Sequence, residues 1–369
     1  MKKMVLVWGL VAWFSSSTFA INSFPDHEFP KTDTSKVSVD FSEILSGGPP
    51  RDGIPSIDNP SYISFSEADA WLSDSEPVVA FSHNGTARAY PLQILIFHEI
   101  VNDDIAGKPV TVTFCPLCNA SIVFDRTLDD DVLDFGTTGR LRNSDLIMYD
   151  RQTETWWQQF TGRGMIGEHS ERLLTQLPSQ IISYSVFKAA YPEGEVLSRE
   201  TGVSRPYGQN PYRGYDDINS NPFLLRGSAD PRLPPMERVL SVEDGAAIQL
   251  VPLSVLEQSP IVHLDVEDGQ AVVFAATSAK SALDDSIISE SRDIPSAAAF
   301  STLVDGNILS FKMSEGLVVD EQTGSEWNAV GTAVAGEFKG KQLVQVDRGV
   351  HFAFAWLRFD PDASVYKPE

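Results

Sequence analysis

Short runs of apolar, β-prone residues recur along the chain at strand length. They are bounded by Gly, Asn, Asp or Pro, as β-strands are. The clearest lie at residues 78–81, 110–114, 121–124, 133–135 and 146–149. Helical spacing, with apolar residues every three or four positions, is confined to residues 66–72, 92–100 and 184–190. The pattern predicts a mainly β fold of sandwich-like or barrel-like domains with a few short helices.

The two halves of the chain share landmarks in the same order, about 160 to 170 residues apart. Residues 150–157 (DRQTETWW) recur as residues 320–327 (DEQTGSEW), and residues 90–92 (YPL) recur as residues 251–253 (VPL). We therefore predict a tandem duplication. Asp150 and Trp157 are retained in both halves, which favours a structural role for the turn and its tryptophan.

The repeat divides the chain into segments. Residues 56–204 form a first repeat that carries the cysteines, and residues 236–363 form a second, degenerate repeat that lacks them. Residues 205–235 between them are rich in Pro and Gly, which predicts an irregular linker. Residues 21–55 are expected to form an N-terminal arm.

The first 20 residues have the pattern of a secretory signal peptide. Lys2 and Lys3 precede an apolar run at residues 4–14, and small residues stand at the last and third-last positions. The run is much shorter than the roughly 20 residues of a spanning helix. We expect cleavage after Ala20, a periplasmic or secreted mature protein and no membrane span. An uncleaved anchor is the alternative.

The formal net charge of −23 disfavours several kinds of partner. A surface this negative repels nucleic acid and anionic lipid. No Walker loop, no HExxH motif and no GxGxxG motif between a strand and a helix is present, so no nucleotide cofactor is predicted. The partner expected instead is an envelope protein or a metal donor.

Cys115 and Cys118 are the only two cysteines of the chain and form a CxxC motif. In the sequence alignment of the halves they stand opposite Ala275 and Ser278, so the fold does not require them. Two thiols three positions apart point to joint chemistry, for which three hypotheses stay open.

The first hypothesis is a soft-metal site for Cu(I) or Zn²⁺, since Cys with His or Met selects these ions. His98 and Met148 are the candidate further ligands. Two Cys and one His leave one position open, which suits metal delivery or metal-assisted chemistry. The alternatives are a hydrogen-bonded structural role for His98 and core packing for Met148.

The second hypothesis is thiol–disulfide exchange. It would use a scaffold other than thioredoxin, because the β-prone residues 122–124 leave no room for the helix that follows a thioredoxin CxxC. The third is a structural disulfide in a non-catalytic binding module. Whether the protein is an enzyme stays open.

A polar cluster at residues 140–145 contains Arg140, Arg142, Asn143 and Asp145. A solvated loop is the expected interpretation. The alternatives are that the cluster lines the pocket of the cysteines, or that its arginines bind a carboxylate.

Several motifs resemble one known family, the uncharacterised, often exported prokaryotic family catalogued as domain of unknown function 3179. The motifs are residues 98–103 (HEIVND), 113–120 (TFCPLCNA), 124–126 (FDR), 143–151 (NSDLIMYDR) and 157–162 (WQQFTG). The resemblance covers most of residues 60–215 and, more weakly, residues 236–363. Phe114 stands where the family often has Tyr. The resemblance implies that the protein belongs to this family, and it implies no activity, substrate or cofactor.

Overall fold

The computed structural model describes residues 21, 23–267 and 269–368. The predicted signal peptide, residues 1–20, lies outside the described residues. In the described part most regular structure is β and the helices are short, so the predicted mainly β fold is confirmed. None of the described helices is long and apolar enough to cross a membrane.

The strands of the first half are β1 (Ile44–Ser46), β2 (Tyr62–Ile63), β3 (Pro77–His83), β4 (Thr86–Pro91), β5 (Ile100–Ile105), β6 (Lys108–Cys115), β7 (Ala120–Asp125), β8 (Thr127–Leu128), β9 (Asp131–Val132), β10 (Phe135–Arg142), β11 (Asp145–Asp150), β12 (Trp156–Gln158), β13 (Arg163–Ile166), β14 (Thr175–Leu177), β15 (Gln180–Ser183) and β16 (Glu195–Leu197). Those of the second half are β17 (Arg238–Asp244), β18 (Ala247–Pro252), β19 (Ile261–Val266), β20 (Gly269–Lys280), β21 (Asp293–Ser301), β22 (Leu303–Val304), β23 (Asn307–Ile308), β24 (Phe311–Ser314), β25 (Leu317–Asp320), β26 (Glu326–Trp327), β27 (Ala333–Ala335), β28 (Asp347–Phe352) and β29 (Ser364–Val365). The α-helices are α1 (Phe65–Ala68), α2 (Leu92–His98), α3 (Tyr184–Ala190), α4 (Leu253–Leu256) and α5 (Ala353–Phe359), and 3₁₀ turns lie at Phe41–Glu43 and Ile288–Glu290.

Three sheets build the first half, with strand orders β15-β3-β4-β16-β2, β14-β7-β6-β5 and β1-β10-β11-β12-β13. The second half has the orders β28-β17-β18-β29, β19-β20-β21 and β24-β25-β26-β27. In each half one short strand pairs in parallel, β16 with β4 and β29 with β18. The halves thus share their element order, and a duplication as its origin stays a prediction.

The strand register corrects the sequence alignment by one residue at the cysteines. Phe114 N donates to Glu99 O, and the matching bond of the second half runs from Ala275 N to Pro260 O. Phe114, and not Cys115, is therefore the counterpart of Ala275. Beyond this point β20 continues to Lys280, so a longer hairpin replaces the tight CxxC turn.

One apolar core joins the two halves. It contains Val112 and Cys118 from the first half together with Val239, Phe352 and Leu357 from the second. The predicted arm is also packed, because β1 pairs with β10 and Phe24 lies against Trp156. The segment at residues 205–235 holds no helix or strand and lies over the cysteine region through its tyrosines.

Candidate functional site

A tight turn between β6 and β7 positions both thiols. Cys115 ends β6 and pairs with Ala120, the first residue of β7. Cys118 N donates to Cys115 O at 3.3 Å, which closes a β-turn with Pro116 at its second position, where proline's fixed φ fits. Asn119 follows with φ 49°, a left-handed conformation that Asn tolerates. The turn therefore directs both side chains into the interior.

The second half fixes this turn from outside. Phe352 N, at the end of β28, donates to Cys118 O at 2.9 Å, and Asn119 Nδ2 donates to Val350 O at 3.2 Å. Both thiols are free and almost fully buried. The CxxC turn is thus held by backbone contacts that only the complete chain supplies.

A carboxylate from the neighbouring sheet meets the two thiols. Within the described ranges, Cys115, Cys118 and Asp145 form the one group of three or more His, Cys, Asp or Glu side chains whose ligand-type atoms all lie within 4.8 Å of one another. Asp145 is the first residue of β11, after the two-residue turn Asn143–Ser144. Ser144 O accepts from Cys118 Sγ at 3.5 Å and lies 4.0 Å from Cys115 Sγ.

One oxygen of the Asp145 carboxyl group accepts hydrogen bonds from nitrogen, and the thiols of Cys115 and Cys118 are hydrogen-bond partners of the same group. Its Oδ2 accepts from Gln158 Nε2 at 2.7 Å and from Phe160 N at 2.9 Å. Its Oδ1 is buried and accepts from no N–H or O–H group of the described residues. Because buried carboxylate oxygens are normally bonded, this oxygen is available to a ligand beside the sulfurs.

Two buried carboxyl groups make the region electrostatically unusual. Glu99 is buried at the end of α2. Burial, and then the charge of Asp145, raises the pKa of Glu99 to about 8. Burial likewise raises the pKa of Asp145 to about 6, against the hydrogen bonds it accepts. No described Lys or Arg forms an ion pair with Glu99 or Asp145.

The same buried surroundings raise the pKa values of both thiols. Burial raises the pKa of Cys115, and the charges of Asp145 and Glu99 raise it further. The pKa of Cys118 is also raised by burial, well above its usual value. At neutral pH and without a cation, both sulfurs are therefore protonated thiols.

Left-handed backbone is concentrated around this cluster. Glu99, Asn119, Asn143 and Ser144 have φ values of 59°, 49°, 53° and 68°. Such conformations cost free energy for a residue with a side chain, above all for Glu99, and they accumulate at functional sites.

His98, expected from the sequence as a ligand, points to other partners. Its Nδ1 lies 2.7 Å from Pro55 O, and its Nε2 lies 2.6 Å from the Tyr207 hydroxyl. Burial lowers its pKa. Coordination through either nitrogen would break one of these hydrogen bonds, and His98 does not belong to the three-residue group.

Met148 lies in the middle of β11, opposite Trp157. It is fully buried in the same apolar cluster as the two cysteines. The structure gives it packing contacts in that cluster.

Residues 205–235, the predicted irregular linker, pack against the CxxC turn. Tyr215 Oη donates to Leu117 O at 3.1 Å, inside the CxxC turn, and accepts from Phe223 N. Burial raises the pKa of Tyr212, as do the nearby Glu99 and Cys115. A cavity of about 130 Å³ beside the CxxC turn is lined in part by Glu99, Leu117 and Tyr212, whereas Cys115, Cys118 and Asp145 do not line it.

The expectation of a solvated loop at residues 140–145 is wrong for Asn143 and Asp145. Both are buried, because residues 205–235 and α5 lie against the β10–β11 turn. The cluster is also divided. Arg140 is paired with Glu28, Arg142 and Asn143 line a separate cavity, and Asp145 joins the cysteines.

The sequence did not identify Glu99 as a site residue, and it indicated Asp145 only as a member of the polar cluster at residues 140–145. One signal for Asp145 was present, an acidic residue directly before the apolar run LIMY at residues 146–149. The signal for Glu99 was its place at the end of a helical pattern, where Gly or Asn is usual.

Comparisons with known proteins place the chain in a family without revealing a function. No curated protein and no solved structure matches it. The model of one family, described as "Protein of unknown function (DUF3179)", matches residues 51–363. On that match, which spans most of the chain, the protein belongs to the DUF3179 family.

Proposed function

We propose that the protein binds one soft or borderline metal ion, preferentially Zn²⁺, through Cys115, Cys118 and Asp145. The observation that carries the proposal is the three-residue group itself, two sulfurs and a carboxylate oxygen within 4.8 Å of one another in the interior. Three protein ligands leave a fourth position of a tetrahedral ion open, as in catalytic zinc sites.

Charge supports this proposal. Burying an unpaired negative charge is costly, and the pKa values of both thiols, Glu99 and Asp145 are therefore raised. A divalent cation would supply the missing positive charge, allow both sulfurs to ionise and stabilise the charge of Asp145. Binding would release protons, so the affinity should rise with pH.

The carboxylate favours Zn²⁺ over Cu(I). Zn²⁺ is held by Cys, His and Asp or Glu, whereas Cu(I) selects thiolate and thioether ligands. Asp145 with its free Oδ1 takes the place that sequence reasoning gave to His98. Met148 would be needed only by a Cu(I) site. In a periplasmic or secreted protein, as residues 1–20 predict, such a site would serve metal delivery or a reaction at the open position.

Thiol–disulfide exchange is the second candidate. The observation in its favour is that two free thiols lie side by side in a turn. Against it, the pKa values of both thiols are raised by burial, and the thiolate is the species that attacks a disulfide. Exchange would require a reduction potential well above the roughly −300 mV below which structural disulfides lie.

The test is metal content and affinity of the complete chain. Protein purified under reducing conditions, stripped with a chelator and titrated with Zn²⁺ should bind about one ion. Changing both Cys115 and Cys118 to Ser should abolish binding. Asp145→Asn should weaken it at least about tenfold, since even the partners of metal ligands contribute 10- to 100-fold.

His98→Gln is the matched control, because Gln can retain hydrogen bonds to Pro55 and Tyr207. It should leave the zinc affinity unchanged, because the hydrogen bonds of His98 go to Pro55 and Tyr207 and not to a proposed ligand. Full binding by the double Cys variant would refute the site. A loss with His98→Gln and none with Asp145→Asn would restore the ligand set expected from the sequence.

A further inference from the structure

A second cavity lies on the other side of the β10–β11 turn from the cysteines. It is bounded by Arg142 and Asn143 of that turn and by Phe354, Leu357 and Arg358 of α5, and we refer to it as the arginine cavity. Its volume of about 430 Å³ falls in the range of small-molecule sites. Its walls come from both halves of the chain.

Hydrogen-bond donors converge on this cavity. Arg358 Nε donates to Asn143 Oδ1 at 3.2 Å, and no described residue accepts from the Nη atoms of Arg358 or from Asn143 Nδ2. Asn143 is 9% exposed, so its amide is a buried polar group at the cavity wall. Arg358 is exposed, and its hydrogen bond to Asn143 joins it to the cavity wall.

The acids of the cavity wall are already neutralised. Asp230 accepts two hydrogen bonds from the guanidinium group of Arg232, at 2.9 and 3.1 Å. Glu43 is paired with Arg142 at 2.8 Å. Arg358 forms no ion pair with a described residue. The cavity therefore has one uncompensated positive charge in a protein of net charge −23.

The rest of the wall consists of Ser228 and five apolar residues, among them Phe354 and Leu357. We propose that the arginine cavity binds a small organic carboxylate with an apolar body, its carboxylate on Arg358 and Asn143. Guanidinium groups match carboxylates geometrically, and a few polar groups in an apolar wall are typical of ligand pockets. The proposal does not depend on the metal site.

A hydrogen-bonded path connects this cavity with the cysteine cluster. Arg142 Nη1 donates to Gln158 Oε1 at 3.4 Å, and Gln158 Nε2 donates to Asp145 Oδ2 at 2.7 Å. Arg142 of the cavity wall is thus two hydrogen bonds from Asp145.

Benzoate is a suitable probe, with benzamide as the neutral molecule of the same shape. Calorimetric titration of the complete chain should show saturable benzoate binding that weakens with added salt, and no binding of benzamide. Arg358→Gln should weaken benzoate binding about tenfold, the contribution expected of a hydrogen bond to a charged group. Asn143→Asp, which places a negative charge at the same wall, should weaken it at least as much.

Arg348→Gln is the matched control, an exposed arginine of β28 that is paired with Glu243 and lies outside the cavity. It should leave benzoate binding unchanged, and all variants should unfold at the temperature of the wild type. The proposal is overturned by absent benzoate binding, by equal binding of benzamide, or by unchanged binding in Arg358→Gln.

Discussion

The carboxyl group of Asp145 is the residue-scale feature on which the proposed metal binding depends. Gln158 and Phe160 donate to one oxygen, and the other has no N–H or O–H donor among the described residues and lies beside the two thiols. Glu99 adds a second buried acid whose pKa is raised to about 8. In the absence of a cation these groups destabilise the fold once they ionise.

Glu99 predicts a pH dependence for the metal-free protein. Its folded pKa lies above its unfolded value, so its contribution to stability is complete below about pH 4.5 and is lost as pH rises through about 8. Between pH 5 and pH 8 the free energy of unfolding should fall by up to about 4 kcal/mol on this account. Glu99→Gln should remove that part of the slope.

Urea unfolding of the stripped wild type and of Glu99→Gln at several pH values measures the difference. Asp145 and Asp347 also have raised pKa values, of about 6 and 7, and contribute equally to both proteins. Parallel curves for the two proteins would contradict the assignment.

At the scale of the elements, the hairpin from β11 to β12 contains a hydrogen-bond network that recurs in the second half. Asp150 accepts from Thr153 N at 2.6 Å and from Trp157 Nε1 at 2.9 Å. In the second half Asp320 accepts from Thr323 N at 2.6 Å and from Trp327 Nε1 at 3.1 Å. This repeated network is a structural device, whereas the CxxC turn occurs in one half only.

Loss of either aspartate should therefore destabilise the fold without affecting metal binding. Asp150→Ala and Asp320→Ala each leave a buried indole N–H and the backbone N–H of Thr153 or Thr323 without an acceptor, which should cost about 3 kcal/mol. Denaturant unfolding measures this cost. Asp130→Ala, at an exposed position, is the control and should stay within about 0.5 kcal/mol. A small effect of the buried changes, or a loss of zinc affinity in Asp320→Ala, would contradict the structural role.

Local sequence patterns predicted many of the secondary-structure elements correctly. Four of the five predicted strand runs lie within β3, β6, β7 and β11, but residues 133–134 are irregular and lie between β9 and β10. The predicted helices at residues 92–100 and 184–190 correspond to α2 and α3, whereas α1 covers only the start of the helix predicted at residues 66–72. The mainly β class follows from the same apolar spacing. The partnership of Cys115 with Asp145 could not be predicted, because two different sheets bring these residues together. The register at Ala275 could not be predicted either, because an apolar run aligns almost equally well when it is shifted by one residue.

At the scale of the whole molecule, the two halves depend on each other. The CxxC turn is bonded to the end of β28, and one apolar core contains Val112 and Val239. Residues 205–235 lie over the cysteines instead of merely spanning a gap. Sequence composition showed that this segment is irregular, but only tertiary contacts show what it covers.

The shared core predicts one cooperative unfolding transition for the complete chain. Calorimetry should give a single heat-absorption peak, because neither half can lose its structure without exposing the apolar surface of the other. Zinc should shift the whole peak to higher temperature, since it binds only the folded state. Two separate peaks, with only one moved by zinc, would indicate independent domains.

X-ray absorption at the zinc edge tests the central claim most directly. For the complete chain loaded with one Zn²⁺, we predict two sulfur neighbours at about 2.3 Å and oxygen or nitrogen neighbours at about 2.0–2.2 Å. Asp145→Asn should alter the light-atom shell and leave the sulfur shell in place. A spectrum without sulfur neighbours, or a chain that retains no zinc with both thiols reduced, would contradict the account.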